Sequence, residues 1–252
     1  MKAALVVVAA CGSGKAKVED SRPPPPVVQM HVADAAPAPA GGAGDVSVRI
    51  EWNGVPAALR ASPGRTPCGT AVRAQVAPTV TWGIPDAFVT LSGERAKPAP
   101  DPGAKLVLDR CAPSPRAMLA GDKLAIMSTA TQPAQVTLHR FDKDGKAAAK
   151  PVFLPIAGHE VDVALDAGGW YEIAAGDESA WVFASQKLYA GVTDTTGVVV
   201  LRDVPAGTYT VTGWFPPYAH GHPYGGQKQV TVTAGALAEV TVDLGPWAGT
   251  SP

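Results

Sequence analysis

A chain of 252 residues with a net charge of −1 and only 17% charged residues carries no basic surplus able to neutralise a row of phosphates, so nucleic-acid binding is excluded from the reading. Its 27 glycines and 25 prolines, about a fifth of the residues, speak for many turns between short strands plus a tract that does not fold.

The first residues, Met1–Cys11, read MKAALVVVAAC: a lysine, a short apolar run, then small residues directly before a cysteine. That is the order of a signal peptide, and Val8-Ala9-Ala10-Cys11 has the pattern of a bacterial lipobox, in which Cys11 becomes the lipid-bearing residue. The apolar run is far shorter than the roughly 20 residues of a membrane span. The expectation is therefore a membrane partner reached through lipid at Cys11. Gly12 after the cysteine, in place of an aspartate, points to the outer membrane of a cell envelope. Gly12-Ser13-Gly14-Lys15 is no phosphate loop, since the first glycine of that motif and the hydroxyl after the lysine are both missing. Residues 12–44 are alanine, proline, glycine and short polar residues, with four prolines at Pro23–Pro26. Such a composition buries too little apolar surface to offset its ordering entropy, so it reads as a disordered tether.

From residue 45 the pattern changes. Val46, Val48, Ile50 and Trp52 alternate with Ser47, Arg49 and Glu51, as in a strand with one face in a core. Strand-like runs follow at Val72–Val76, Phe88–Leu91, Lys105–Asp109, Lys123–Met127, Gln135–Phe141, Glu160–Leu165, Trp170–Ala174, Ala180–Ala184, Gln229–Thr233 and Ala238–Leu244. Turn signals separate them at the spacing of sandwiches and barrels, and no segment sustains helical amphipathicity. The fold class is all-β: one large sandwich, or two packed together. Within Tyr189–Trp214, Asp194-Thr195-Thr196-Gly197 has the residues of a type I turn and Val204-Pro205-Ala206-Gly207 repeats the device. The runs Val198–Leu201 and Thr208–Trp214 are accordingly expected to form a β-hairpin.

With Cys11 set aside, Cys68 and Cys111 remain, and in an exported chain their pairing in a disulfide is the economical reading. Candidate chemistry is sparse. His220 and His222, two residues apart in Tyr218-Ala-His220-Gly-His222-Pro-Tyr224, would point the same way in extended backbone, and paired imidazoles suit zinc or copper. They supply two ligands where structural zinc sites use four, and a plain exposed loop is the competing reading. Asp142-Lys-Asp144-Gly145 opens like a calcium loop but lacks its closing glutamate, which leaves a hairpin turn. His159-Glu160 are adjacent and so face opposite sides of a strand. Neither a Gly-x-Ser-x-Gly elbow nor a His-Glu-x-x-His helix is present, and the six tryptophans are expected in core or sheet faces.

The order Cys68-Gly69, then Asp86–Leu91, then Cys111 with Pro113, Pro115 and Arg116, then Gly121–Ile126, then Val192-Thr-Asp-Thr-Thr-Gly with Asp203-Val-Pro-Ala-Gly-Thr-Tyr resembles a group of exported bacterial cupredoxin-like proteins ending in a carboxypeptidase-regulatory-like (prealbumin-like) β-segment. The resemblance implies a degenerate cupredoxin-like part over 45–188, a regulatory-like segment over 189–245, and a tail at 246–252. Copper-binding members have an Asn-Ser-Asp segment leading to a histidine after the strand matching Leu124–Met127, and a Cys, His and Met cluster before the regulatory-like hairpin. Here those places read Ser128–Gln135 and Tyr171–Trp181, so the resemblance implies a scaffold that has lost its copper ligands.

Three functions follow as expectations. The first is a non-enzymatic envelope lipoprotein whose β-body is an interaction or structural module, with envelope proteins or glycans as partners. The second is a copper- or zinc-binding protein using His220 and His222, with His139 or His159 brought close. The third is a carbohydrate- or peptide-binding sandwich with a contiguous groove of exposed aromatics.

Overall fold

The computed structural model describes residues 41–62, 64–66, 68–99, 103–141, 147–166, 168–217 and 223–247. It is all-β, seventeen strands in four sheets with one helical turn. The alternating run at Val46 becomes β1 (Ala43–Glu51), with Val46, Val48 and Ile50 fully buried. β1 lies between β13 (Val198–Pro205), antiparallel, and β16 (Leu237–Asp243), parallel, and these three strands make the first sheet. The second sheet orders β12 (Leu188–Val192), β2 (Phe88–Glu94), β14 (Gly207–Phe215), β15 (Tyr224–Val232) and the two-residue β17 (Gly245–Pro246). The third orders β5 (Ala117–Ala120), β11 (Glu178–Ala184), β10 (Gly169–Ala175), β7 (Ala134–Phe141) and β8 (Ala147–Leu154). The fourth orders β4 (Ala112–Ser114), β3 (Lys105–Asp109), β6 (Lys123–Ser128) and β9 (Glu160–Ala164).

The sheets stack in pairs. Side-chain alternation sends Val89, Leu91, Val211 and Phe215 of the second sheet towards Ile50 and Val242 of the first, closing one core. Gly213 sits where the two sheets touch, since a Cβ there would lie 2.6 Å from Ile50 Cδ1. The third and fourth sheets close a second core around Leu106, Leu124, Ile126, Leu138, Ile173 and Val182. The two sandwiches meet through an aromatic layer. Phe88 and Trp214 lie opposite each other in register on the second sheet, and the row Phe183–Trp170–Phe141 crosses the third. The Trp170 ring centroid lies 4.3 Å from that of Trp214 and 4.9 Å from that of Phe88. Hence all seven residues of β11 are buried: Ala180, Val182 and Ala184 in the second core, Trp181 and Phe183 against the first sandwich. The body is two packed sandwiches, the second inserted between β2 and β12 of the first. The division expected at residues 188/189 falls at the start of β12, and β1 and β2 from before it pair with β13, β16, β12 and β14 after it.

Two local expectations are corrected. The runs Val198–Leu201 and Thr208–Trp214 are not a hairpin: β13 pairs with β1 in the first sheet, and β14 with β2 and β15 in the second. The turn at Val204–Gly207 is an arch between sheets. Leu201 and Val204 on one side and Val211 on the other all enter the same core, which two facing strands achieve as well as two paired ones. Val72–Val76 is not a strand. It runs in irregular backbone with Val72 and Val76 buried, its apolar residues packed without a ladder. The other strand-like runs are all strands, to within a few residues at each end, and the Asp194 turn forms as expected. Gly197 donates to the Asp194 carbonyl at 3.0 Å, and the Thr196 amide to the Asp194 carboxylate at 2.8 Å. The Thr196 hydroxyl is the main cause holding the Asp194 carboxyl below its ordinary range, helped by backbone donors. Cys68 and Cys111 are joined in a disulfide, their Cα atoms 6.0 Å apart.

Candidate functional site

Between β1 and β2 the chain leaves the first sheet and returns to the second by way of a strap, residues 52–87, whose only regular element among the described residues is the helical turn α1 (Ala57–Arg60). Pro56 before it supplies the fixed φ that opens a helix, and Ala61 in extended backbone ends it. Val55, Leu59 and Val76 tie the strap to the first core, and Val76 donates to the Leu59 carbonyl at 2.9 Å. Further along, the strap crosses to the second sandwich. Cys68 bonds to Cys111 beside β4, and Arg73 meets Glu178 at the start of β11. The Glu178 carboxylate, 3% exposed, accepts from Arg73 Nε at 2.8 Å and from the Arg73 amide at 2.6 Å. Arg73 Nη2 also donates to the Pro113 carbonyl at 3.0 Å, and Arg116 Nη1 to the Ala74 carbonyl at 2.7 Å. Nearby, burial pushes the Asp86 carboxyl up from its ordinary value, against the opposing pull of Arg116 and Arg73.

The strap then turns tightly at Thr79-Val80-Thr81-Trp82. Trp82 donates to the Thr79 carbonyl at 3.0 Å, Thr79 to the Gly83 carbonyl at 2.8 Å, and the Gly83 amide to Thr79 Oγ1 at 2.9 Å. From β1, Arg49 Nη2 donates to the Thr81 carbonyl at 3.0 Å and to its hydroxyl at 2.8 Å, while Trp52 donates to the Trp82 carbonyl at 3.1 Å. A turn held this firmly would ordinarily serve a core. This one presents apolar residues to solvent: Val80 is 99% exposed and Trp82 37%. Trp82 also stands in the left-handed region, φ 63°, which bulky side chains rarely adopt. Beside the turn lies an open cleft of about 430 Å³ lined by Arg60, Val76, Pro78, Thr79, Val80 and Trp82. Arg60, at the end of α1, has no hydrogen-bond or ion-pair partner among the described residues. A second cavity of about 400 Å³ lies where the chain passes between the sandwiches, lined by Glu94, Pro98, Asp122, Ser185, Lys187 and Leu188.

Cys11, His220 and His222 lie outside the described residues, as does the Asp142–Gly145 turn. The two histidines proposed to join them lie in different elements. His139 is on β7 opposite Glu172 of β10, and exposed His159 precedes β9. Glu160, next to it, pairs with Lys105. Among the described residues no group of three His, Cys, Asp or Glu side chains comes together as a metal site would require. Trp52, Trp170, Trp181 and Trp214 are buried, so they line no groove; Trp82 is the exposed tryptophan among the described residues, and Trp247 is half-buried against Gly225.

The sequence reads the tryptophans as core or sheet-face residues by default, with a groove of exposed aromatics as the alternative, and singles out neither Trp82 nor its turn. The available signal was Pro78-Thr-Val-Thr-Trp82-Gly83: β-branched residues between a proline and a glycine, in a run too short to make a strand of its own. Chemically, the arrangement offers a rigid apolar ridge, an adjoining cleft and one available guanidinium. No family model matches the chain, and the comparisons with curated proteins and with solved structures found no match either.

Proposed function

We propose that the protein is an exported, lipid-anchored interaction module without catalytic chemistry of its own, held in the cell envelope by Cys11 and the Pro/Ala/Gly-rich stretch that follows it. The observation that carries the reading is the strap turn: Val80 and Trp82 displayed to solvent on backbone pinned from β1 and from within the turn. Rigid presentation of apolar side chains lowers the ordering cost of association, and backbone strain of this kind gathers at binding sites. The order of residues in Met1–Cys11 supports the anchor. In this reading the cupredoxin-like resemblance describes a scaffold that keeps its sandwiches and has exchanged its copper ligands for other residues.

The test is cross-linking in intact cells with a photoreactive residue introduced at position 80 and, as control, at position 200, where Val200 is 42% exposed on β13. The expected result is a discrete adduct in the membrane fraction from position 80 alone, with Cys11→Ala moving the protein to the soluble fraction. Equal labelling from both positions, or none from position 80, overturns the interaction site. A wild-type protein found wholly in the soluble fraction overturns the anchor.

A further inference from the structure

Resting on the interaction-module reading, we infer that the cleft beside the strap turn binds an acidic peptide segment, in which a carboxylate adjoins an apolar side chain. The walls decide the class. Val76, Pro78, Val80 and Trp82 offer hydrocarbon and an indole, while Thr79, Arg60 and backbone groups of the turn make close to half of the lining polar. An apolar peptide side chain asks only for hydrocarbon, and the volume of about 430 Å³ is that of an ordinary ligand cleft.

Charge decides the rest. Arg49, on the other side of the turn, is committed to Glu51 and Thr81. Arg60 is exposed, lines the cleft and has no partner among the described residues, so it is the guanidinium available to an incoming group. Its planar fork of donors matches a carboxylate in a two-point pair and tells it from an amide of the same shape. A single cation on a chain of net charge −1 does not make the basic surface that a polyanion or an anionic membrane requires. The ligand that satisfies both halves of the cleft is a short segment with Asp or Glu beside a Leu, Val, Pro or aromatic residue.

The test uses the full chain in detergent micelles, immobilised and panned with a random heptapeptide display library. Enriched peptides are then measured against wild type, Arg60→Gln and Val80→Ser. Both substituted side chains are exposed, so folding is retained and is checked by far-UV circular dichroism. The expected result is an enriched Asp or Glu flanked by an apolar residue. Affinity should fall about ten-fold or more on Arg60→Gln, the scale of losing a charged hydrogen-bonded pair. It should fall also on Val80→Ser, and when the peptide's acid is changed to its amide. Peptides enriched without an acidic residue, binding unchanged by Arg60→Gln, no enrichment, or tighter binding of an oligogalacturonate probe than of any peptide each overturns the inference. If one of these occurs while position 80 still cross-links in cells, the interaction module stands and the acidic peptide falls. If position 80 is also silent, both fall.

Discussion

Arg73 holds the strap to the second sandwich, and its value depends on where its partner lies. Glu178 reaches it from the first position of β11 with a side chain 2% exposed, so its charge has been moved out of water and is compensated by Arg73 and the Arg73 amide. Lys105 and Glu160 also pair, but with side chains 43% and 48% exposed, where solvent screens both charges. Two cation–carboxylate pairs therefore have different consequences when separated. Arg73→Ala is expected to cost about 3–5 kcal/mol in urea unfolding, because it leaves a buried carboxylate uncompensated. Lys105→Ala is expected to cost below about 1 kcal/mol. Equal costs would contradict the burial assigned to Glu178. Nothing in the sequence singles out Arg73, since the two residues are 105 positions apart and only the folded strap brings them together. Trp82 was illegible for a related reason: the default for tryptophan is the core, as holds for Trp170, Trp181 and Trp214, and what distinguishes Trp82 is the turn it closes.

As elements, most of the longer strands were legible, the short β4, β5, β12 and β17 were not, and neither were the partners. Alternation in Val46–Ile50 or Lys123–Met127 records which side of a strand meets a core, and that was enough to find β1 and β6. It does not record which neighbour supplies the hydrogen bonds. β13 and β14 were thus expected to pair with each other, when each lies in a different sheet with its face towards the same core. β8 escaped because Ala147–Lys150 carries no alternation, and its place is set by β7 alongside it. The strap escaped because Val72 and Val76 are apolar and β-branched, yet are buried by irregular backbone. The disulfide was legible, since the expectation of an exported chain made it the economical pairing, and its structural meaning follows from the strap. Cys68 and Cys111 are 43 residues apart and join the two sandwiches. In the loop-entropy account, a closed loop of that length stabilises the fold by about 3–4 kcal/mol. The double variant Cys68→Ser/Cys111→Ser is expected to lose about that much, and to expose the strap to limited proteolysis before either sandwich is cut. A protease that cleaves first within β10 or β11 would show that the strap does not depend on the bridge.

For the molecule as a whole, the question is whether two sandwiches make one folding unit. Each has its own core, and the chain passes between them twice, which would permit separate unfolding. Against that stands the aromatic layer. Trp170 stacks on Phe183 at 4.2 Å and meets Trp214 at 4.3 Å and Phe88 at 4.9 Å. Trp170, Trp181 and Phe183 on that face of the third sheet are therefore as buried as the interior of the second sandwich. Released on its own, the inserted sandwich would present Trp170, Trp181 and Phe183 to water, a penalty that grows with apolar area at about 25 cal/mol per Å². The disulfide and the Arg73–Glu178 pair hold the strap to the second sandwich while the aromatic layer joins the sandwiches directly, so the two part only by breaking the layer and pulling the strap from one of them. The expected result is one cooperative thermal transition, coincident in tryptophan fluorescence and far-UV circular dichroism. Trp170→Ala removes the centre of the layer. It is expected to cost about 3–5 kcal/mol, as large aromatic truncations in cores do, and to pull the two signals apart as the sandwiches uncouple. Two transitions already present in the wild type would mean that the aromatic layer is a contact between independent units, and that the coupling resides in the strap alone.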